Sequence, residues 1–203
     1  MPFDLPNFQQ TAEAIQQAIA RITATEASRP RKEVTDAQLA AMVAYLGDNG
    51  YIPSACLIEP LKAILGGRGV ILSGQAGIGK TYLFTILARH NSFARLRVQH
   101  VDEILSWLDD CGPHGIADWC EMYQNWHVCI DDLGAERTVS HYGNKDDLLK
   151  QVIQYRSEHG ARTHITTNLS SEQVRERYGD RILSRIFGMC VPFRLEGNDK
   201  RKA

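Results

Sequence analysis

The chain has 203 residues, 43% of them hydrophobic and 23% charged, with a formal net charge of −1. That composition fits one α/β domain with residues to spare and excludes a disordered chain. The near-zero charge excludes a globally basic nucleic-acid binder, so any such contact must come from a local patch. No apolar run approaches the roughly 20 residues of a membrane span, and the N-terminus lacks a signal peptide's basic and apolar regions. Five cysteines, an odd number with no CxxC pair, read as reduced thiols, so the expected location is the cytoplasm, off the membrane.

In chain order, residues 8–28 read as a helix, with Phe8, Ala12, Ile15, Ile19 and Ile22 on one face. Pro30 and the charges around it mark 28–32 as a linker. Thr35 or Asp36 caps a second helix carrying Leu39, Met42, Val43 and Leu46, and a short helix spans 57–65. Residues 1–66 are therefore expected to be a small helical region and 67–203 a separate domain. From 68 onward strands alternate with helices. Strands are predicted over 70–73, 95–99, 127–131, 162–167 and 189–194. Helices are predicted over 80–89, 101–110, 116–125, 145–158, 171–178 and 180–187. That alternation predicts a mainly parallel five-stranded sheet with helices on both faces.

Between the first strand and its helix stands Gly74, Gln75, Ala76, Gly77, Ile78, Gly79, Lys80 and Thr81, a full match to G-x-x-x-x-G-K-[ST] in its required strand–helix context. Glycines let the backbone turn tightly and aim successive N–H groups at phosphate oxygens, and the helix start adds partial positive charge. Lys80 is expected on the β- and γ-phosphates of ATP and the Thr81 hydroxyl on Mg²⁺. The nucleotide-contacting set extends to Tyr82.

The apolar run from Trp126 ends in Asp131 and Asp132. Asp131 is expected to complete Mg²⁺ binding through water, and Asp132, at the strand tip, to orient or deprotonate the attacking water. Ile165-Thr-Thr-Asn168 brings Asn168 to the same carboxyl edge, where an amide can hold that water or touch the γ-phosphate; Ser170 caps the next helix. Arg181 and Arg185 lie four apart on one helix face and suit phosphate recognition from a neighbouring subunit, Arg185 ahead of Arg181.

Together these residues resemble the AAA+ ATPases and, within them, the DnaC-type helicase loaders and IstB-type transposition helper ATPases. The resemblance rests on the 74–81 loop, Cys129-Ile-Asp-Asp-Leu-Gly-Ala-Glu136, Ile165-Thr-Thr-Asn-Leu-Ser170, Tyr178-Gly-Asp-Arg-Ile-Leu-Ser-Arg185 and Val191-Pro-Phe-Arg-Leu-Glu-Gly197, and covers about residues 68–198. It implies an AAA+ P-loop fold and ATP-dependent homo-oligomers. It also implies action in DNA replication on single-stranded DNA, with a replicative helicase or transposase as partner. By the same analogy Arg185 is the finger, Asn168 the first sensor and Asp132 the base, where many relatives carry Glu; the shorter acid implies slow, switch-like hydrolysis. No lid domain follows residue 198, so no second-sensor arginine is expected.

Other features fit this resemblance less directly. The segment 101–125, where this group places an extra helix for DNA contact, is acidic; basic residues lie at Arg29, Arg31, Lys32, Arg95, Arg97 and 200–202. Trp107, Trp119, Tyr123 and Trp126 are candidate base-stacking platforms but at helical spacing read first as core. Cys111, His114 and Cys120 fit no common zinc spacing, and the scattered histidines lack a triad's supporting groups. Two alternatives stay open: a P-loop small-molecule kinase, for which no arginine-rich lid is evident, and an ATP-bound scaffold with little turnover.

Overall fold

The computed structural model describes residues 32–111, 114–136, 145–197 and 199. The helix expected over 8–28, with Arg29, Arg31 and residues 200–202, lies outside them. Two helices come first, α1 (Asp36–Asp48) and α2 (Ile58–Leu65). Thr35 caps α1 with a reciprocal Thr35–Gln38 capping box. The alternating part follows as β1 (Gly69–Ser73), α3 (Lys80–Leu87), β2 (Leu96–His100), α4 (Val101–Cys111), α5 (Gly115–Met122) and β3 (His127–Leu133). It continues as α6 (Lys145–Glu158), β4 (Thr163–Thr167), α7 (Ser171–Tyr178), α8 (Asp180–Met189) and β5 (Cys190–Arg194).

The five strands form one sheet in the order β2-β3-β4-β1-β5, every pairing parallel. Side chains alternate across it, so Val70, Leu72 and Cys129 face one layer and Ile71, Val128 and Ile130 the other. The first layer holds α1, α2 and α3 through Met42, Leu46, Leu61, Ile64, Leu83 and Phe84. The second holds α4 to α8 through Ile104, Leu108, Trp119, Val152, Ile153, Ile182 and Ile186. Pro192 is tolerated inside β5 because that strand is the sheet's edge.

β4 is buried along its whole length although it reads Thr-His-Ile-Thr-Thr. Its hydroxyls are all engaged: Thr163 with Ala161 O, Thr166 with Asp131 and Thr167 with Leu133 O. A buried hydroxyl is tolerated at a central strand when its hydrogen bonds are made. Behind it Arg156, with no exposed surface, donates from Nε to Thr163 Oγ1 at 2.9 Å and from its terminal nitrogens to the carbonyls of Tyr123, Trp126 and Arg162. The guanidinium lies over Trp119, 5.8 Å from the ring, and burial lowers its pKa to about 10, which leaves it charged at neutral pH. This clamp joins α6, the end of the α5 segment and the start of β4.

The structure corrects one sequence expectation. β3 does not end at Asp131: it runs to Leu133 with a register irregularity between Ile130 and Leu133, so Asp132 sits in a bulge and not at a free strand tip. Trp119 is core, as its helical spacing first suggested: it is fully buried against Arg156 and Tyr123 and offers no platform for a base.

Candidate functional site

Parallel strands bring their carboxyl ends to one edge, and here the ends of β1, β3 and β4 carry the predicted residues side by side. The loop after β1 leads into α3 through Gly79, whose φ of +96° is the left-handed conformation that a Cβ disfavours. Gly74 is needed for a different reason: a Cβ there would come 2.5 Å from Leu195 O and 2.6 Å from Ile78 Cδ1. The first helical bond of α3 runs from Leu83 N to Gly79 O, so the N–H groups of Lys80, Thr81 and Tyr82 sit at the helix start with no obligatory helical partner. The Asp199 carboxylate lies against Gly77, where a Cβ on that glycine would collide with it.

Lys80 is 5% exposed, and its ammonium donates to Gly74 O at 2.8 Å, Gln75 O at 2.9 Å and Asn168 Oδ1 at 2.7 Å. Thr81 Oγ1 donates to Asp131 Oδ1 at 2.9 Å, and Thr166 Oγ1 donates to the same oxygen at 2.6 Å. Burial pushes the Asp131 carboxyl up; the Thr166 and Thr81 hydroxyls pull it back, Asp132 raises it and His100 lowers it. A hydroxyl and a carboxylate held this close form the oxygen donor pair that a hard divalent cation takes, so these residues fit Mg²⁺.

Asp132 is the one non-glycine with positive φ among the described residues, at +57°. Its N–H donates to Thr166 Oγ1 at 2.9 Å, and its Oδ2 lies 3.8 Å from His100 Nε2. His100 ends β2 in register with Asp131, and its Nδ1 accepts from Asp102 N at 3.2 Å. Because Nδ1 accepts, the proton of the neutral ring sits on Nε2, toward Asp132. Sequence reading assigned no role to Thr166 or His100. Thr166 was visible as a hydroxyl beside Asn168, whereas His100 gave no signal short of the strand register.

The remaining sequence-predicted residues are placed as follows. Tyr82 is exposed; its hydroxyl donates to Asn49 O at 2.9 Å and its ring stacks on Tyr51, so it holds the α1–α2 turn against the loop. Arg181 is exposed on α8, and Arg185 donates to Glu158 Oε1 on α6 at 3.0 Å. The structure thus joins Lys80, Thr81, Asp131, Asp132 and Asn168, and engages Arg185 elsewhere. Cys120 is buried, and among the described residues no group of His, Cys, Asp and Glu has metal-binding proximity.

No family model matches the chain. The replicative helicase loader DnaI of Bacillus subtilis (strain 168) is 24% identical over 154 residues, which covers 66% of this chain and 48% of DnaI, so the chain spans about half the length of that curated relative. The crystal structure of the DnaC helicase loader superposes with a TM-score of 0.56 at 20% identity, over 75% of this chain and 99% of that one. This chain has the AAA+ P-loop fold, and its likeness is to the DnaC-type helicase loaders. A further AAA+ likeness is to the replication initiator DnaA, solved with AMPPCP and single-stranded DNA, at a TM-score of 0.57 and 15% identity over 74% of this chain and 49% of that one. The AAA+ sheet is the five-stranded parallel one expected from the strand–helix alternation. Among the described residues, no helix is long and apolar enough to cross a membrane.

Proposed function

We propose that this AAA+ protein binds ATP with Mg²⁺ on the 74–81 loop and hydrolyses it slowly. In this reading it acts in DNA replication as a cytoplasmic, DnaC-type loader of a replicative helicase on single-stranded DNA. The observation that carries the ATPase reading is the convergence of Lys80, Thr81, Asp131 and Asn168 through direct hydrogen bonds between the ends of three parallel strands. Lys80 exchanges its loop carbonyls for the β- and γ-phosphate oxygens and keeps Asn168 Oδ1. Thr81 and Asp131 hold the cation, which when bound neutralises charge on the phosphates. Asp132 orients the attacking water and accepts its proton, Asn168 holds that water from the β4 side, and His100 lies beside the Asp132 carboxylate, its Nε2 3.8 Å from Oδ2. The side chain of Tyr82 serves the α1–α2 turn, so its contribution to nucleotide is its backbone N–H.

Arg185, with Arg181 behind it, serves a neighbouring subunit's γ-phosphate in an ATP-dependent homo-oligomer. In the isolated chain Arg185 pairs with Glu158, which it would have to leave to act in trans, so this role rests on the family resemblance. The helicase and DNA parts of this reading rest on the likeness to DnaI, DnaC and DnaA. The test is ATP turnover and size by gel filtration, with and without ATP analogue and an oligonucleotide, followed by identification of what co-purifies with Asp132→Asn protein. ATP-dependent assembly and turnover stimulated by single strands are expected. Size and rate indifferent to both ligands overturn the reading.

A further inference from the structure

Glu136 has no part in the proposed chemistry, yet its side chain has no exposed surface. An unpaired carboxylate in that position would be strongly destabilising, and here three groups meet it. Gly134 N donates to Oε2 at 2.9 Å, the Tyr178 hydroxyl donates to Oε1, and Arg177 Nη2 lies 3.0 Å from Oε1. Arg177 also donates to the carbonyls of Gly134 and Glu136, and its guanidinium lies 5.6 Å from the Tyr178 ring. A planar fork spanning two backbone carbonyls and a carboxylate fixes orientation as well as charge. These contacts stitch the chain leaving β3 to the last turn of α7.

The stitched segment begins at Asp132. Ala135 N donates to Asp132 O at 2.9 Å, closing a turn between the left-handed residue and Glu136. Left-handed backbone at a non-glycine residue costs roughly 1 kcal/mol or more and persists where its surroundings over-determine it. One side of that restraint is Thr166 on the Asp132 N–H. We propose that Glu136, Arg177 and Tyr178 form the other side: a clasp that holds Asp132 in this conformation and so acts as a set of positioning residues for hydrolysis. The clasp also ties Asp132 to the helix that follows Asn168, so both groups that handle the attacking water are set by one element. This inference rests on the ATPase reading above.

The test uses the full chain with Arg177→Gln, Arg177→Lys and Tyr178→Phe, the last keeping the ring that packs in the core. Two readouts are taken: hydrogen–deuterium exchange of the 132–136 amides without nucleotide, and steady-state ATP hydrolysis with the affinity of a fluorescent non-hydrolysable ATP analogue. Faster exchange confined to 132–136 is expected. With it, kcat falls about tenfold or more while KM and analogue affinity stay within about twofold. Lysine does not rescue, because it restores the charge without the fork. Unchanged exchange overturns the clasp. Faster exchange with unchanged kcat overturns its positioning role. Wild-type protein with no turnover overturns the ATPase reading itself and takes the positioning role with it.

Discussion

The ammonium of Lys80 donates to Asn168 Oδ1 at 2.7 Å, joining residues 88 positions apart in the chain. Lysine has only donors, so the amide oxygen must face it and the Asn168 NH₂ is left for a phosphate oxygen or the attacking water. Asn168→Ala is therefore expected to keep nucleotide affinity and lower kcat roughly 100-fold, as for loss of one preorganised donor. Asn168→Asp should instead weaken binding, because a carboxylate would hold Lys80 and repel the triphosphate. Fluorescent-nucleotide titration beside turnover separates the two, and equal affinity for both variants contradicts this geometry.

Thr81 and Asp131 share a hydrogen bond where the cation is proposed to sit. Asp131→Asn should leave affinity for nucleotide in EDTA nearly unchanged and abolish the gain that Mg²⁺ brings. Thr81→Val should reduce that gain less, since a neutral ligand is lost and not a charged one. Isothermal titration with and without Mg²⁺ reads both effects. A full Mg²⁺ gain in Asp131→Asn removes Asp131 from the cation site.

If Arg185 acts in trans, Arg185→Ala and Asp132→Asn proteins are each inactive alone but recover part of the activity when mixed, because some interfaces pair an intact acid with an intact arginine. A finger is worth on the order of 1,000-fold or more in rate, so the recovery is measurable above either variant. Mixtures as inactive as their components point to a role for Arg185 within its own subunit.

Arg156→Met keeps length and apolar stem but takes the guanidinium donors from Thr163 Oγ1 and from the part-buried carbonyls of Tyr123, Trp126 and Arg162, of which Tyr123 O keeps Trp126 N and Arg162 O keeps Val128 N. A destabilisation of about 1 to 3 kcal/mol is expected from these acceptors, chiefly Trp126 O, read as a lower urea midpoint. A midpoint unchanged from wild type would show that water satisfies them.

His164 is buried without a hydrogen-bond partner on either nitrogen, and burial, with smaller effects from His127, Arg156 and Arg162, lowers its pKa to about 3. Burial, with the charges of Arg162 and Arg156, lowers His127 to about 4. Both pKa values fall on folding, so the stability contribution is complete above the unfolded value near 6.5 and is lost as pH falls through about 4 and about 3. His164→Leu should flatten this decline, gaining about 2 kcal/mol on wild type at pH 5 relative to pH 8. Parallel stability–pH curves for the two proteins would rule the contribution out.

Much of the site was legible because its residues sit in local patterns. The phosphate loop needs glycines and a lysine at fixed spacing, the acids close the apolar run from Trp126, and Asn168 follows a short strand that ends in polar residues. Thr166 was visible in the polar strand end but its contacts with the acids were not, and His100 needed the β2–β3 register to place it beside Asp132. The clasp of Glu136 by Arg177 and Tyr178 spans some forty positions, and no spacing rule encodes such a contact.

The sequence by itself determined the strand–helix alternation, the phosphate loop and the order of the polar strand ends, because each depends on backbone periodicity, glycine conformation or capping within a few residues. Only the tertiary structure decided that β3 bulges at Asp132, that the single threonine Thr166 in a fully buried strand contacts both acids, and that Arg185 faces Glu158. Those outcomes depend on which groups meet when separate strands and helices pack, where burial favours pairing most polar atoms regardless of distance along the chain, His164 being an exception.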